Sequence, residues 1–392
     1  MDPRILRVGS SGPQSGRFTQ GQTRTDHELR MKEHSPWNLR WIESSPTEDK
    51  TSTRSRFILP GTGDILHACF LVMELEDVSV NTPIGPNVIE SVIFRGEGDV
   101  LDQFTGEYIA INHDSERNKD ENIGRDRLEG NISGGIIPSF SGEIIVDLPF
   151  WFRKNIHCGL PLGDLAEDRH SFHIQTRVPV KTFKMIFEIS DLPEQDRKYL
   201  TQGGRWSLPI VTRNRFVIHT EGRENITIRL PFTDELCGLM FALRPLGDEL
   251  SGNYTKFNSR SSGVRSELDL DDTSLTPLYR EAPGEILHTA SIRIGTMVLE
   301  DRESVWWRER SWRESGRQPP NRLDYVYARY WDITEQYPSG GTHLEYMPST
   351  HLTLKLKRDA PDCTLIVWGL TRNVAEIRKT SRRLILRNPY NG

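Results

Sequence analysis

The sequence predicts an all-β chain that forms two sandwiches in tandem, and three observations carry this prediction. Segments of roughly 5–10 residues rich in Ile, Val, Leu, Phe and Trp alternate with Gly, Pro, Asn and Asp along the chain. No stretch of about 12 residues keeps a helical period, and there is no alternation of strands with helices. The segment GDILHA at 63–68 returns as GEILHT at 284–289, which favours two equivalent halves.

Strand candidates occur in both halves. Those in the first half are Arg56–Leu59, Ile65–Leu75, Val88–Phe94, Glu143–Leu148 and Phe172–Arg177. Those in the second half are Trp206–Ile218, Ile226–Leu230, Leu236–Leu243, Leu287–Ile294, Tyr325–Trp331, His351–Leu356, Leu365–Trp368 and Leu384–Leu386. One helix is predicted over Ser190–Leu200, near the junction of the halves, because Asp191 suits an N-cap and Pro193 suits a first turn.

The remaining segments define the domain organisation. Residues 1–35 are rich in Gly, Ser, Gln, Arg and Thr, and we expect an N-terminal arm that orders only against neighbours. The first sandwich is expected over 36–204 and the second over 205–392. Three long polar insertions are expected to be surface loops, namely Asn112–Gly135, Gly247–Thr276 and Asp301–Asn321.

Composition narrows the class of protein. The chain is 35% hydrophobic and 27% charged, and no apolar run approaches the roughly 18 residues that cross a bilayer. The N-terminus has no apolar segment of the kind found in secretory signals. The net charge of −5 argues against a dedicated nucleic-acid binder. Four widely spaced cysteines favour a reducing compartment such as a cytoplasm.

The C-terminus is locally basic. From Arg372 to Gly392 the chain has six Lys or Arg residues and one acid, which gives a local net charge of +5. One interpretation is a solvated strand edge or tail. The alternative is a tail that contacts an anionic surface, either DNA or lipid headgroups.

Two short segments carry a family resemblance. Residues 148–152 read LPFWF, and residues 159–162 read GLPL. Together they resemble the "PLPFWF … ALPL" signature of the major capsid proteins of nucleocytoplasmic large DNA viruses. An aromatic cluster after a proline can form a dense apolar plug, so we expect its residues to be structural.

Further blocks resemble the same family in the same order. They are Arg56–Leu75, Val88–Ile109, Pro231–Arg244, Tyr325–Gly340 and Ile366–Ile377. The signature residues in this chain are Pro149, Phe150, Trp151, Phe152, Leu160, Pro161, Leu162, Pro338, Ser339, Gly340 and Asn373. The chain departs from the family at Gly163 and Asp164, where apolar residues are expected, and only Asn373 remains of the family's N-Y-N. The chain therefore resembles a short, divergent member.

The resemblance implies two eight-stranded jelly rolls in tandem. It implies a major capsid protein with no enzymatic activity and no cofactor, three copies of which form a pseudo-hexameric capsomer of an icosahedral shell. The implied partners are neighbouring capsomers, penton proteins and minor capsid proteins, with an internal membrane or the genome as contacts of the basic tail. The implied location is the virion, assembled in the host cytoplasm.

Some residues have types that could bind a metal or act in acid–base catalysis. His157, Cys158, His170 and His173 are residue types that bind metals, yet His170 and His173 lie three apart on a predicted strand and would face opposite sides. Asp164, Glu167 and Asp168 are expected to form a solvated loop. We therefore predict no catalytic, cofactor-binding or metal-binding residue.

Two other functions stay open at this point. One is a minor capsid or assembly-scaffold protein of the same fold. The other is a carbohydrate-binding or carbohydrate-hydrolysing β-sandwich, which would need exposed aromatic platforms. The residues that could supply such a platform are Trp306, Trp307 and Trp312, in a stretch that mixes aromatics with arginines and for which loop packing or an interface is the expected role.

Overall fold

The computed structural model describes residues 38–47, 51–76, 85–116, 128–129, 131–132, 135–136, 143–153, 159–166, 169–194, 197, 206–232, 235–250, 254, 257, 285–320, 325–331, 342–343, 350–358, 360–378 and 382–386. Over this part of the chain the protein consists mainly of β-strands, and every strand pair in it is antiparallel.

The first half contains the strands β1 Asn38–Ser44, β2 Arg54–Ile58, β3 Ile65–Leu75, β4 Ile89–Gly96, β5 Asp99–Phe104, β6 Asn131–Ile132, β7 Gly135–Ile136, β8 Glu143–Asp147, β9 Leu160–Pro161, β10 His170–Thr176 and β11 Val180–Asp191. Its longest described helix is α1, Gly106–Glu116, and two 3-10 turns lie at Gly85–Val88 and Trp151–Arg153.

The second half contains the strands β12 Trp206–His219, β13 Asn225–Arg229, β14 Glu235–Pro245, β15 Leu287–Ile294, β16 Met297–Glu303, β17 Val326–Tyr330, β18 Thr342–His343, β19 Thr350–Leu356, β20 Cys363–Arg378 and β21 Arg383–Leu386. Its helical segments are α2 Leu246–Leu250, a π-helical turn Trp306–Arg310 and α3 Ser311–Glu314.

The two halves have the same strand order. In the first half, sheet 1 runs β1-β11-β3-β8 and sheet 2 runs β2-β10-β4-β5. In the second half, sheet 3 runs β12-β20-β14-β17 and sheet 4 runs β13-β19-β15-β16. In each half the first main strand pairs with the last, and the second pairs with the last but one. This double Greek-key order defines a jelly roll, so the predicted fold of two tandem jelly rolls is confirmed.

Each jelly roll buries one face of both of its sheets. On β3, the alternate residues Cys69, Leu71 and Met73 are inaccessible to solvent, because successive side chains of a strand point to opposite faces. The two sheets of the first roll meet through aromatic rings, since Phe172 of sheet 2 lies 5.7 Å from Phe187 of sheet 1, centroid to centroid.

Several local predictions were wrong in whole or in part. The helix predicted over Ser190–Leu200 begins later than predicted, because Asp191 belongs to β11 and pairs with Asn38. Glu194 and Arg197 are helical, and the amide of Arg197 donates to the carbonyl oxygen of Pro193 at 3.0 Å. The helix α1 was not predicted. The loop predicted over Asp301–Asn321 instead contains the end of β16 and the helical turns, and Trp307 and Trp312 in it are buried.

Candidate functional site

The signature aromatics form the end of the first core. Phe150 follows β8 just before a short 3-10 turn that contains Trp151 and Phe152, and all three are buried. The Phe150 ring lies 5.0 Å from Phe104 of β5, and the Phe152 ring lies 6.4 Å from Phe94 of β4. These rings join the end of sheet 1 to sheet 2, as expected for an apolar plug.

The second signature segment packs beside the plug. Leu160 and Pro161 form β9, opposite Leu66 and Ile65 of β3, and Leu162 is buried next to them. Gly159 precedes them at a point where an added Cβ atom would lie 2.2 Å from a methyl carbon of Ile65, so no larger residue fits there without a shift.

The remaining signature residues lie elsewhere. Asn373 is buried on β20, where its side-chain oxygen accepts the amide of Val374 at 2.8 Å. Pro338, Ser339 and Gly340 fall outside the described residues.

Sequence reasoning missed the feature that joins the two rolls. Arg213 of β12 forms an ion pair with Asp102 of β5 at 2.7 Å, and both side chains are almost completely buried. A second nitrogen of Arg213 donates to the carbonyl oxygen of Pro149 at 2.7 Å. One guanidinium therefore ties the first strand of the second roll to an edge strand and to the signature plug of the first.

A second buried carboxylate reinforces this joint. Glu107 of α1 pairs with Arg177 of its own roll at 3.0 Å, and with Arg244 and Arg215 of the second roll at 2.9 and 3.7 Å. Burial alone would raise the pKa of Glu107, but the surrounding guanidinium groups outweigh it and hold the pKa below its ordinary value. We call the contacts of β5 and α1 with sheet 3 the cis joint.

The basic C-terminus makes contacts within the second roll and with the first roll. Arg372 is buried and pairs with Glu235 at 3.1 Å, and Arg383 pairs with Glu97 at 3.1 Å and with Asp99. Arg382 donates to the carbonyl oxygen of Leu165 at 2.8 Å. Arg372, Arg382 and Arg383 thus bind within the chain, and Arg382 is at the same time exposed next to the strand β21, which fits the interpretation of a solvated strand edge. Residues 387–392 lie outside the described residues.

The predicted chemical candidates separate in the structure. His170 is buried, and its two ring nitrogens contact the carbonyl oxygen of Ala166 at 2.9 Å and the amide of Leu384 at 3.2 Å. His173 is half-buried and contacts Ser171. Asp164 lies half-buried in the turn after β9, and His157, Cys158, Glu167 and Asp168 lie outside the described residues. No metal-type cluster of His, Cys, Asp or Glu occurs within the described part of the chain.

We expect His170 to make the C-terminal strand sensitive to pH. Its Nδ1 donates to Ala166, so its Nε2 is the acceptor for the Leu384 amide and cannot also carry a proton. Burial lowers the pKa of His170 below its ordinary value of 6.5, and the positive charges of Arg383 and Arg169 lower it further. The Ala166 carbonyl and the Glu97 carboxylate raise this pKa, but they do not outweigh the burial. The folded state then binds fewer protons than the unfolded state, so this contribution is complete above about pH 6.5 and is lost as the pH falls below it.

Hydrogen exchange at the Leu384 amide tests this prediction. Protection should decrease between pH 7.5 and pH 5 more steeply in the wild-type chain than in His170→Gln, because glutamine can donate and accept without titrating. His173→Gln is the matched control and should behave like the wild type. An identical pH dependence in His170→Gln and the wild type would exclude His170 as the cause.

Comparison with known proteins identifies solved structures of similar fold. No protein-family profile matches the sequence, and no curated protein is significantly similar to it. PBCV-1 VP54, in a structure fitted into a reconstruction of the virophage Sputnik, superposes with a TM-score of 0.71 at 14% identity, over 91% of this chain and 97% of its own. The quasi-atomic structure of the PBCV-1 virus capsid gives 0.71 at 13% identity, over 91% and 97%.

The Faustovirus major capsid protein is also similar, with a TM-score of 0.68 at 10% identity, over 87% of this chain and 90% of its own. At these identities the likeness establishes a shared fold, which covers both jelly rolls. Among the described residues, no helix is long and apolar enough to cross a membrane.

Proposed function

We propose that this chain is the major capsid protein of an icosahedral virus. The observation that carries the proposal is the pair of jelly rolls with one strand order, matched across both rolls by the PBCV-1 and Faustovirus structures. Three copies form a capsomer with six jelly rolls around a pseudo-sixfold axis, and capsomers tile the shell. The protein resides in the virion and is assembled in the host cytoplasm.

The chemistry of the joint suits a structural role. The charged groups buried between the rolls, Asp102, Glu107, Arg213 and Arg244, are all engaged with opposite charges. Such pairs fix one orientation of the rolls, whereas an active site needs groups that remain available to a substrate. We therefore propose a scaffold without enzymatic activity or cofactor.

The trimer is the direct test of this function. The purified full-length chain should form a trimer at micromolar concentration under mild conditions, as measured by light scattering. In particles purified from infected cells, it should be the most abundant protein of the shell. A chain that is monomeric or dimeric in solution, and not trimeric in particles, would contradict the proposal.

The abundance of the chain in particles also distinguishes the major capsid protein from the second candidate, a minor capsid or scaffold protein of the same fold. Such a protein would make up only a small fraction of the shell. The carbohydrate-binding alternative loses its support, since Trp307 and Trp312 are buried in the second roll, where the Trp307 indole donates to Ala290 at 3.1 Å. Trp306 is half-buried, and the guanidinium groups of Arg302 and Arg329 lie 5.8 and 5.5 Å from its ring centroid. Buried rings cannot serve as a platform for sugar rings.

Other partners follow from the same proposal. The N-terminal arm, residues 1–35, contacts neighbouring capsomers or an inner layer, because it has few apolar side chains with which to pack by itself. Penton and minor capsid proteins bind at the edges of the capsomers. The basic C-terminus contacts a membrane or the genome inside the shell.

A further inference from the structure

The cis joint covers part of the outer face of sheet 3 in the second roll. Arg213 and Arg215 of β12 lie opposite Leu370 and Trp368 of β20, so these side chains share the face of sheet 3 that turns away from its own core. Arg213 and Arg215 on this face point toward β5 and α1, and Trp368 beside them is almost completely buried. An edge strand and the helix that follows it thus cover part of the outer face of a neighbouring sheet.

The equivalent face of the first roll is open. Sheet 1 occupies the same position in the first roll as sheet 3 in the second, and its outward side chains are half-buried or exposed. They include an apolar row across all four strands, formed by Trp41 of β1, Ile186 of β11, Phe70 and Val72 of β3, and Ile145 of β8. We call these five residues the outer stripe.

Trp41 is the most prominent member of the outer stripe. Its side chain is 71% exposed, the largest value among the large hydrophobic residues of the described chain. The indole donates to Glu188 at 3.2 Å, which holds the ring in place on the sheet. A fixed, exposed tryptophan is typical of a protein-binding surface, because little conformational entropy is lost when a partner covers it.

The second roll also has an uncovered counterpart of β5 and α1. The strand β16 is the outer strand of sheet 4, as β5 is of sheet 2, and helical turns follow both strands. Leu101 and Asp102 of β5 are buried in the joint, whereas β16 has no buried residue, and its Met297 is 54% exposed beside the exposed Val298. We call β16 with the turns up to Glu314 the free edge.

We propose that the outer stripe of one copy binds the free edge of a second copy, repeating the cis joint between chains. The proposal rests on the trimeric capsomer proposed above and identifies the surfaces that close it. Each copy has one stripe and one free edge, so the contact is heterologous, and three copies close a ring in which each stripe is covered by a free edge.

Exposed apolar residues support this choice of partner. Of the eight large hydrophobic residues that are exposed in the described part of the chain, Leu39 and Trp41 lie on β1 and Met297 and Val298 lie on β16. Charged groups of both signs surround both sites: Glu43, Glu188 and Lys184 share the face of the outer stripe, and β16 presents the exposed Arg302 and Glu303. The exposed apolar residues can therefore form the centre of an interface with a polar rim, as in protein interfaces generally.

Two variants of the full-length chain test the inference. Trp41→Gln alters the outer stripe, and Met297→Gln with Val298→Thr alters the free edge. Both change exposed side chains, so melting temperatures should stay close to that of the wild type. Each variant should weaken trimer formation by roughly 30-fold or more, as expected for a central interface aromatic or its partner surface. The matched control is Leu246→Gln, an exposed apolar residue on α2, which should trimerise normally.

Mixing the two variants gives the sharper result. In a heterologous contact, the intact free edge of the Trp41→Gln chain can bind the intact stripe of the other variant, so the mixture should form heterodimers that cannot close into trimers. Each variant alone should remain monomeric at the same concentration. Analytical ultracentrifugation of the separate and mixed proteins distinguishes these states.

The outcomes separate this inference from the proposed function. If the wild type and both variants form equally stable trimers, the capsomer stands and the surfaces assigned here are wrong. If the variants fail but their mixture gives no heterodimer, the stripe and the free edge do not bind each other, and the inference is again overturned. A wild-type chain that never trimerises, in solution or in particles, overturns the proposed function and this inference with it.

Discussion

Arg213→Met should destabilise the protein by about 3–5 kcal/mol, because it leaves the carboxylate of Asp102 buried and without its counter-charge. Asp102 is 0% exposed and the Arg213 side chain is 3% exposed, so water cannot replace the lost guanidinium without opening the joint. The carbonyl oxygen of Pro149 would lose its donor in the same substitution. The effect should appear as a lower midpoint of urea denaturation, followed by tryptophan fluorescence.

The double variant Asp102→Leu with Arg213→Met separates the cost of leaving the Asp102 carboxylate unpaired from the contribution of the ion pair itself. It removes both charges and fills similar volume, so it should recover most of the lost stability, since buried ion pairs often differ little in stability from apolar replacements. The matched surface control is Arg223→Met, whose partner Glu221 is well exposed, and it should have little measurable effect. A single variant Arg213→Met as stable as the wild type would show that the joint does not depend on this pair.

The strands that sequence predicted well are the apolar ones. Ile65–Leu75 and Leu287–Ile294 were predicted with the bounds that the structure has, because β-forming residues dominate each segment and a Gly or a charged residue follows it. By contrast, Leu365–Trp368 is only part of β20, which continues to Arg378. The continuation contains Arg372 and other polar residues whose burial depends on partners elsewhere in the chain.

Two elements, β16 and α1, were not predicted because their apolar residues do not follow the period of a strand or a helix. The strand β16 reads MVLEDRE and is exposed on both faces, so it shows no alternation of apolar and polar residues. The helix α1 buries Glu107, His113 and Asp114 together with apolar residues, so its buried face has no apolar period. Such patterns arise where an element faces another domain or another molecule.

The apolar part of the candidate site was predicted from the sequence, whereas its buried charges were not. The signature aromatics were predicted as a plug from their own composition, and the structure buries them. The pair of Asp102 and Arg213 is separated by 111 residues in sequence, and nothing local identifies the partner. The signal that could have indicated it is a charge inside an apolar strand, as Arg213 is within the run IVTRNRFVI. A buried charge requires a partner, so such positions predict joints even where they do not predict which residues meet.

Trp151→Ala should also be strongly destabilising, by roughly 3–5 kcal/mol, because it removes a large buried ring and leaves a cavity at the end of the first core. The Trp151 side chain is 4% exposed, and its ring lies 5.5 Å from Phe152 and 5.8 Å from Phe94, centroid to centroid. The surrounding rings are held by β4 and by the turn itself, so they cannot collapse far into the space. Thermal unfolding followed by circular dichroism would measure the loss as a lower melting temperature.

The controls for this prediction use the same type of residue in a different position. Trp151→Phe should lose less than Trp151→Ala, because it keeps an aromatic ring in contact with Phe94. Trp41→Ala removes an indole that is mainly in solvent, so the isolated chain should keep its melting temperature even though assembly suffers. Burial, and not the loss of a tryptophan as such, then accounts for the difference between Trp151→Ala and Trp41→Ala. If Trp151→Ala melted at the wild-type temperature, the signature segment would not be part of the core that holds the first jelly roll together.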